Sequence, residues 1–177
     1  MTGESRDPVD SPRKLWDKGY RLDREVEEFT VGDDYLLDQQ LVRYDCLASI
    51  AHATMLGRVG VLEEDEVQSL VDELNRIIEL DLRGEFPIRR EQEDCHTAIE
   101  NHLTERLGEL GEKVHTGRSR NDQVLAALRL YYKAELAKCK KAMVELVLYL
   151  EQFAARYGEV GLPGYTHTRK AMPSSMG

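Results

Sequence analysis

Residues 113–123, KVHTGRSRNDQ, concentrate side chains that can hold an anion. Two arginines, two hydroxyl residues, a histidine and an asparagine stand around Gly117. No acid falls between Lys113 and Asn121, although the 177-residue chain carries a formal net charge of −9. The longest uninterrupted helical pattern begins directly afterwards. Free backbone N–H groups and the positive end of a helix dipole favour a carboxylate or phosphate at such a place. An arginine there can grip a carboxylate through two parallel hydrogen bonds. Gly117 allows a backbone conformation that other residues resist. The same residues also fit a plainer description, a basic loop with Asn121 or Asp122 as N-cap of a solvated helix.

The elements that must position this stretch read as helices. Asp33 and Asp34 can cap a helix over residues 33–56, with Leu37, Leu41, Tyr44, Leu47, Ile50, Ala51 and Met55 as its buried face and Gly57 and Gly60 at its end. Glu63 to Asp65 open a second helix whose stripe is Val67, Leu70, Val71, Leu74, Ile77 and Ile78, with Gly84 and Pro87 at the exit. Residues 91–107 read as a third, with His96, Ile99, Leu103 and Leu107 at turn spacing. Residues 121–157 contain no glycine or proline and would span roughly 55 Å as helix. The series Leu125, Leu128, Tyr132, Leu136, Cys139, Met143, Leu146, Leu150, Phe153, Tyr157 advances in steps of three and four. That is the seam of a bundle or coiled coil, and the small helices before it are too short to cover it. Pro163-Gly164 marks a turn, and Pro173 and Ser174 look like the opening of a further helix at which the chain stops, as in a fragment. No strand alternation of useful length is present. The expected fold class is all-α: a mobile tail (1–14), a small N-terminal helical domain (15–112) and the incomplete start of a long-helix bundle (113–177).

Other chemistries find little footing. The acidic balance argues against nucleic-acid binding. No apolar run approaches membrane-spanning length and no apolar signal core stands at the N-terminus, so a cytoplasmic location is expected. Cys46, Cys95 and Cys139 are odd in number and far apart, which indicates neither a disulfide framework nor a structural zinc site. His96 and His102 are six apart and fall on different helix faces, so His96 reads as a partly buried structural histidine rather than half of a local metal site.

Three ordered motifs carry a resemblance: HTGRSRNDQV (115–124), EDCHTAIE (93–100) and PGYTH (163–167). Together they resemble the N-terminal part of the argininosuccinate lyase family, in the fumarase/aspartase superfamily that includes the delta-crystallins. The likeness covers residues 15–177, with weaker support from Leu15-Trp16, FTVGDD and residues 49–56. It implies a reversible β-elimination of argininosuccinate to arginine and fumarate, with no metal or organic cofactor, in a homotetramer whose active sites form where three subunits meet. By match to the motifs, Ser119, Arg120 and Asn121 would contact substrate, Thr166 would bind a carboxylate and His167 would serve in proton transfer. Asp94 and His96 would support the site. Three departures stand out. His167-Thr168-Arg169 replaces the usual His-Leu-Gln, Trp16-Asp17-Lys18-Gly19-Tyr20 replaces Trp-Gly-Gly-Arg-Phe, and Gly32 stands where many members have a serine. The flexible loop with the serine thought to be the base has no counterpart here; Met172-Pro173-Ser174-Ser175 has the wrong order. A non-catalytic helical assembly module and another superfamily lyase, such as adenylosuccinate lyase, are the alternatives.

Overall fold

A computed structural model describes residue 29 and residues 32–177. The expected tail, Leu15-Trp16 and the replaced Trp-Gly-Gly-Arg-Phe segment lie outside the described residues. In chain order the elements are α1 (Asp34–Leu37), α2 (Val42–Arg58), α3 (Glu64–Leu82), α4 (Cys95–Leu107), α5 (Glu109–Glu112), α6 (Arg120–Tyr157), β1 (Gly161–Thr166) and β2 (Arg169–Ser175). Short 3-10 turns cover Asp38–Gln40, Arg90–Gln92 and Lys113–His115. Helix dominates, as expected. Among the described residues, no helix is long and apolar enough to cross a membrane.

The chain divides between Tyr131 and Tyr132 into two compact units. The first is built on α2, α3 and α4. Leu70, Leu74 and Ile77 of α3 are fully buried against Val42, Cys46, Ala53 and Leu56 of α2 and against Ala98, Ile99 and Leu103 of α4. The stripes expected for α3 and α4 are therefore the ones that pack. Close approach is written into two glycines. A Cβ on Gly57 would stand 2.6 Å from Val67 Cγ2, and one on Gly111 would stand 2.4 Å from the backbone carbon of Leu103.

The helix expected over 33–56 differs in two respects. It is broken by the 3-10 turn at Asp38–Gln40. There Gln39 donates to Asp81 Oδ1 (2.8 Å) and to the Phe86 carbonyl (3.0 Å) and accepts from the Ile88 N–H (3.1 Å), ties that a straight helix would not aim. Its buried face is also only partly the expected one: Leu41 is buried and Tyr44 and Ile50 are half-buried. Leu37, Leu47, Ala51 and Met55 are exposed, while Val42, Asp45, Cys46, Ser49, Ala53 and Leu56 are buried. Counting apolar residues shifts the face because the true one carries two polar side chains, Asp45 and Ser49, with partners elsewhere in the fold. The third helix begins at Cys95 rather than 91, since Glu93 takes φ +67° and Asp94 is an extended N-cap.

In the second unit, α6 continues to Tyr157 and is followed by a hairpin. Leu136, Met143, Leu146 and Leu150 of the expected seam are all more than half exposed. The helical opening expected at Pro173 and Ser174 is not formed; both residues lie in β2. β1 and β2 pair antiparallel with Thr166 opposite Arg169, so His167 and Thr168 alone make the turn. Their φ values of +51° and +66° give it the left-handed geometry that matches strand twist. Pro163 faces Pro173 across the ladder. Proline is tolerated in so small a sheet because both strands are edges.

Candidate functional site

The start of α6 shows how the basic stretch is built. Ser119, not Asn121 or Asp122, is the N-cap. Its Oγ accepts from the Asp122 N–H (3.3 Å) and donates to Asp122 Oδ2 (2.9 Å), which also accepts from the Ser119 N–H (3.0 Å). This reciprocal box satisfies two helix-end donors. Hydrogen bonds from the Ser119 backbone, then from its side chain, hold the Asp122 carboxyl below its ordinary pKa. Ser119 is thus already engaged, whereas Asn121 is exposed and its side chain makes no hydrogen bond among the described residues.

Arg120 reaches from the first turn of α6 to the start of α4. Its Nη2 donates to Thr97 Oγ1 (2.9 Å) and lies 3.4 Å from Asp94 Oδ2. Its Nη1 is buried and has no hydrogen-bond partner. Asp94 meanwhile caps α4 by accepting from the Thr97 N–H (2.7 Å). The guanidinium is thereby held in place with one nitrogen left over. Asp94 and Arg120 are brought together, with Ser119 and Asn121 flanking Arg120 in the chain.

The turn before α6 is fixed from α2 and α4. Arg118 Nη2 donates to Ser49 Oγ (3.1 Å) and lies 3.4 Å from His115 Nδ1. His115 Nε2 stands 3.2 Å from Glu100 Oε2, which joins the first motif to the second. Burial lowers the pKa of Arg118, and Asp45 and Asp122 oppose that shift. His52 Nε2 is 3.0 Å from the Thr116 carbonyl. Burial lowers the His52 pKa, the Thr116 contact raises it, and the nearby charges of Arg118 and His115 add to the lowering. Gly117 takes φ +72°, the conformation for which a glycine was expected. Asp45, Ser49 and His52 stand at steps of four and three on one polar stripe of α2, of which Ser49 and His52 hold the turn. Sequence reasoning missed that stripe; a buried-face period that includes Asp45 and Ser49 was the available signal.

His96 is fully buried rather than partly so, at 2% exposure, and its Nδ1 lies 3.1 Å from Asp45 Oδ2. His102 points elsewhere and pairs with Glu73 at 2.7 Å. Asp38, Cys95 and His96 bring three possible ligand atoms within 4.8 Å of one another. Their geometry has another explanation. Asp38 Oδ2 accepts from the Cys95 N–H (3.2 Å) and so helps to cap α4. Burial, reinforced by Asp45 and Asp38, pushes the Cys95 thiol far above its ordinary range and keeps its proton on.

Thr166 and His167 belong to the second unit, on the exposed hairpin. Thr166 ends β1, and His167 is the first turn residue. Arg169 begins β2 and is exposed. Gly32, where the family often has serine, has φ +51°, a conformation that disfavours a side chain.

Comparison with known proteins decides the family. A family model described as lyase matches residues 3–177. This chain belongs to that lyase family. Among curated relatives it is 55% identical over 161 residues to a protein of Thermotoga neapolitana named argininosuccinate lyase, a match covering 91% of this chain and 40% of that protein. Proteins of the same name from Parabacteroides distasonis and Sorangium cellulosum are 46% and 45% identical over 165 and 164 residues, 93% of this chain in each case and 37% and 38% of theirs. The chain thus spans about two fifths of the length of these relatives. The resemblance read from its three motifs is borne out.

Proposed function

We propose that this chain is the N-terminal portion of an argininosuccinate lyase, and that the complete polypeptide splits argininosuccinate into arginine and fumarate. The observation that carries the reading is the pre-anchored Arg120 guanidinium, with its unpartnered Nη1, beside Ser119 and Asn121 at the start of a 38-residue helix. In such an elimination a base removes a proton next to a carboxylate, and negative charge accumulates on that carboxylate. Donors fixed in advance around the growing charge lower the barrier. Arg120 Nη1, the Asn121 amide and the first N–H groups of α6 are suited to that task. Thr166 binds a substrate carboxylate, and His167 moves a proton near neutral pH. Asp94 holds Arg120 and His96 supports the α4 end of the site. The exposed seam of α6 is covered by other helices of a homotetramer, and the reaction runs in the cytoplasm without metal or organic cofactor.

His167→Asn in the complete polypeptide tests the proton-transfer role. Asparagine tolerates positive φ, so the turn is kept. Turnover of argininosuccinate should fall by about 100-fold or more with unchanged melting temperature; an unchanged rate removes His167 from the chemistry. Arg120→Lys retains charge but loses the fork. It should lower kcat and raise KM, and unaltered kcat and KM together would make Arg120 structural. A panel including adenylosuccinate separates this reading from that of a related lyase.

A further inference from the structure

The buried carboxylate Asp45 has no role in the reading above, yet it sits at the junction of three helices. It is fully buried on α2. Its Oδ2 accepts from Gln123 Nε2 of α6 at 3.1 Å, a bond that is itself buried. The same oxygen lies 3.1 Å from Nδ1 of His96, in the first turn of α4. The two atoms stand close without forming an aligned hydrogen bond, and Asp45 Oδ1 has no partner. Burying a carboxylate is costly unless its charge is used, because neither desolvation nor an orphaned oxygen is offset by apolar packing. An apolar residue at position 45 would serve the core better. The two elements Asp45 joins are those that carry Asp94 with Arg120's anchor Thr97, and Arg120 with Asn121.

We infer that Asp45 is a positioning residue: its charge holds the proton of His96 on Nδ1, leaves Nε2 as an acceptor, and locks α4 to α6 so that Asp94 and Thr97 meet Arg120. A carboxylate beside one ring nitrogen selects the tautomer and orientation of a histidine in this manner. The inference uses the lyase reading for its rate measurement only.

The test is made on the complete polypeptide. Nitrogen NMR of histidine-labelled protein, with the His96 signals assigned through His96→Gln, reads the ring directly and requires no activity. A proton on Nδ1 is expected; a ring protonated on Nε2 alone overturns the proposal. Asp45→Asn keeps the shape and removes the charge. It should lower kcat by about tenfold or more, the size typical of outer partners of a working histidine, with KM changed less than about threefold. In a His96→Gln background the same change should add less than about twofold, as expected of residues that act as a unit. Independent, multiplying losses, or kcat and KM both unchanged in a folded protein, would make Asp45 merely structural. If Asp45→Asn does not fold, Gln123→Leu replaces it: a fall in kcat with KM retained supports the lock, and no fall overturns it. Should the parent show no lyase activity, the function proposal fails while the NMR result still decides the role of Asp45.

Discussion

The two units treat their hydrophobic and charged residues in opposite ways. In the first, Leu70, Leu74 and Ile77 are fully buried, and the charged groups of the motif stretch meet partners across helices: Arg118 with Ser49, His115 with Glu100, Arg120 with Asp94 and Thr97. In the second, Leu136, Met143, Leu146 and Leu150 stand more than half exposed on a helix, and the hairpin that follows is exposed nearly throughout. An isolated helix draws most of its stability from packing an apolar face. The difference separates a turn whose charged groups are tied to partners within its own unit from a helix whose large apolar side chains stand exposed.

Core truncations give the largest contrast. Leu74→Ala, at 0% exposure, should cost about 2–5 kcal/mol. Leu136→Ala, at 67% exposure, should cost less than about 0.5 kcal/mol in this chain. Urea unfolding of both variants checks this, and equal losses would mean that the seam of α6 is covered within the chain. Next comes Gly111→Ala. Its methyl would collide with the Leu103 backbone, so a loss of about 3 kcal/mol is expected; a variant as stable as the parent would show that the α4–α5 corner yields freely. Ser119→Ala removes the N-cap of α6 and should cost about 1 kcal/mol by the same method. No loss would mean that the Asp122 carboxylate caps the helix unaided.

The smallest effect is a pH dependence. The His52 pKa is lowered from its ordinary 6.5, chiefly by burial, so the unfolded chain takes up this proton more readily than the folded one. Its contribution to stability is complete above pH 6.5 and declines as the pH falls below that value. His52→Gln should flatten the parent's loss of stability between pH 7 and 5 slightly, as read from urea midpoints; identical slopes would mean that His52 takes up its proton equally readily in the folded and unfolded chain.

The sequence made α3, α4 and the extent of α6 legible because apolar spacing and flanking glycines agree there. It failed at α2, where Asp45 and Ser49 interrupt the buried face with polar groups whose partners lie 78 and 69 residues away. A local periodicity contains no information about those partners. It failed also at the hairpin, whose turn places His167 and Thr168 at positive φ where glycine or asparagine is the usual signal. At the candidate site, the start of a helix beside the basic turn was legible, but the engagement of Ser119 by Asp122 and of Arg120 by Asp94 was not.

The most direct test of the account is fumarate release by the complete, purified polypeptide supplied with argininosuccinate. The account predicts fumarate and arginine in equal amounts without added metal. A soluble, folded complete protein that forms no fumarate from argininosuccinate would contradict it.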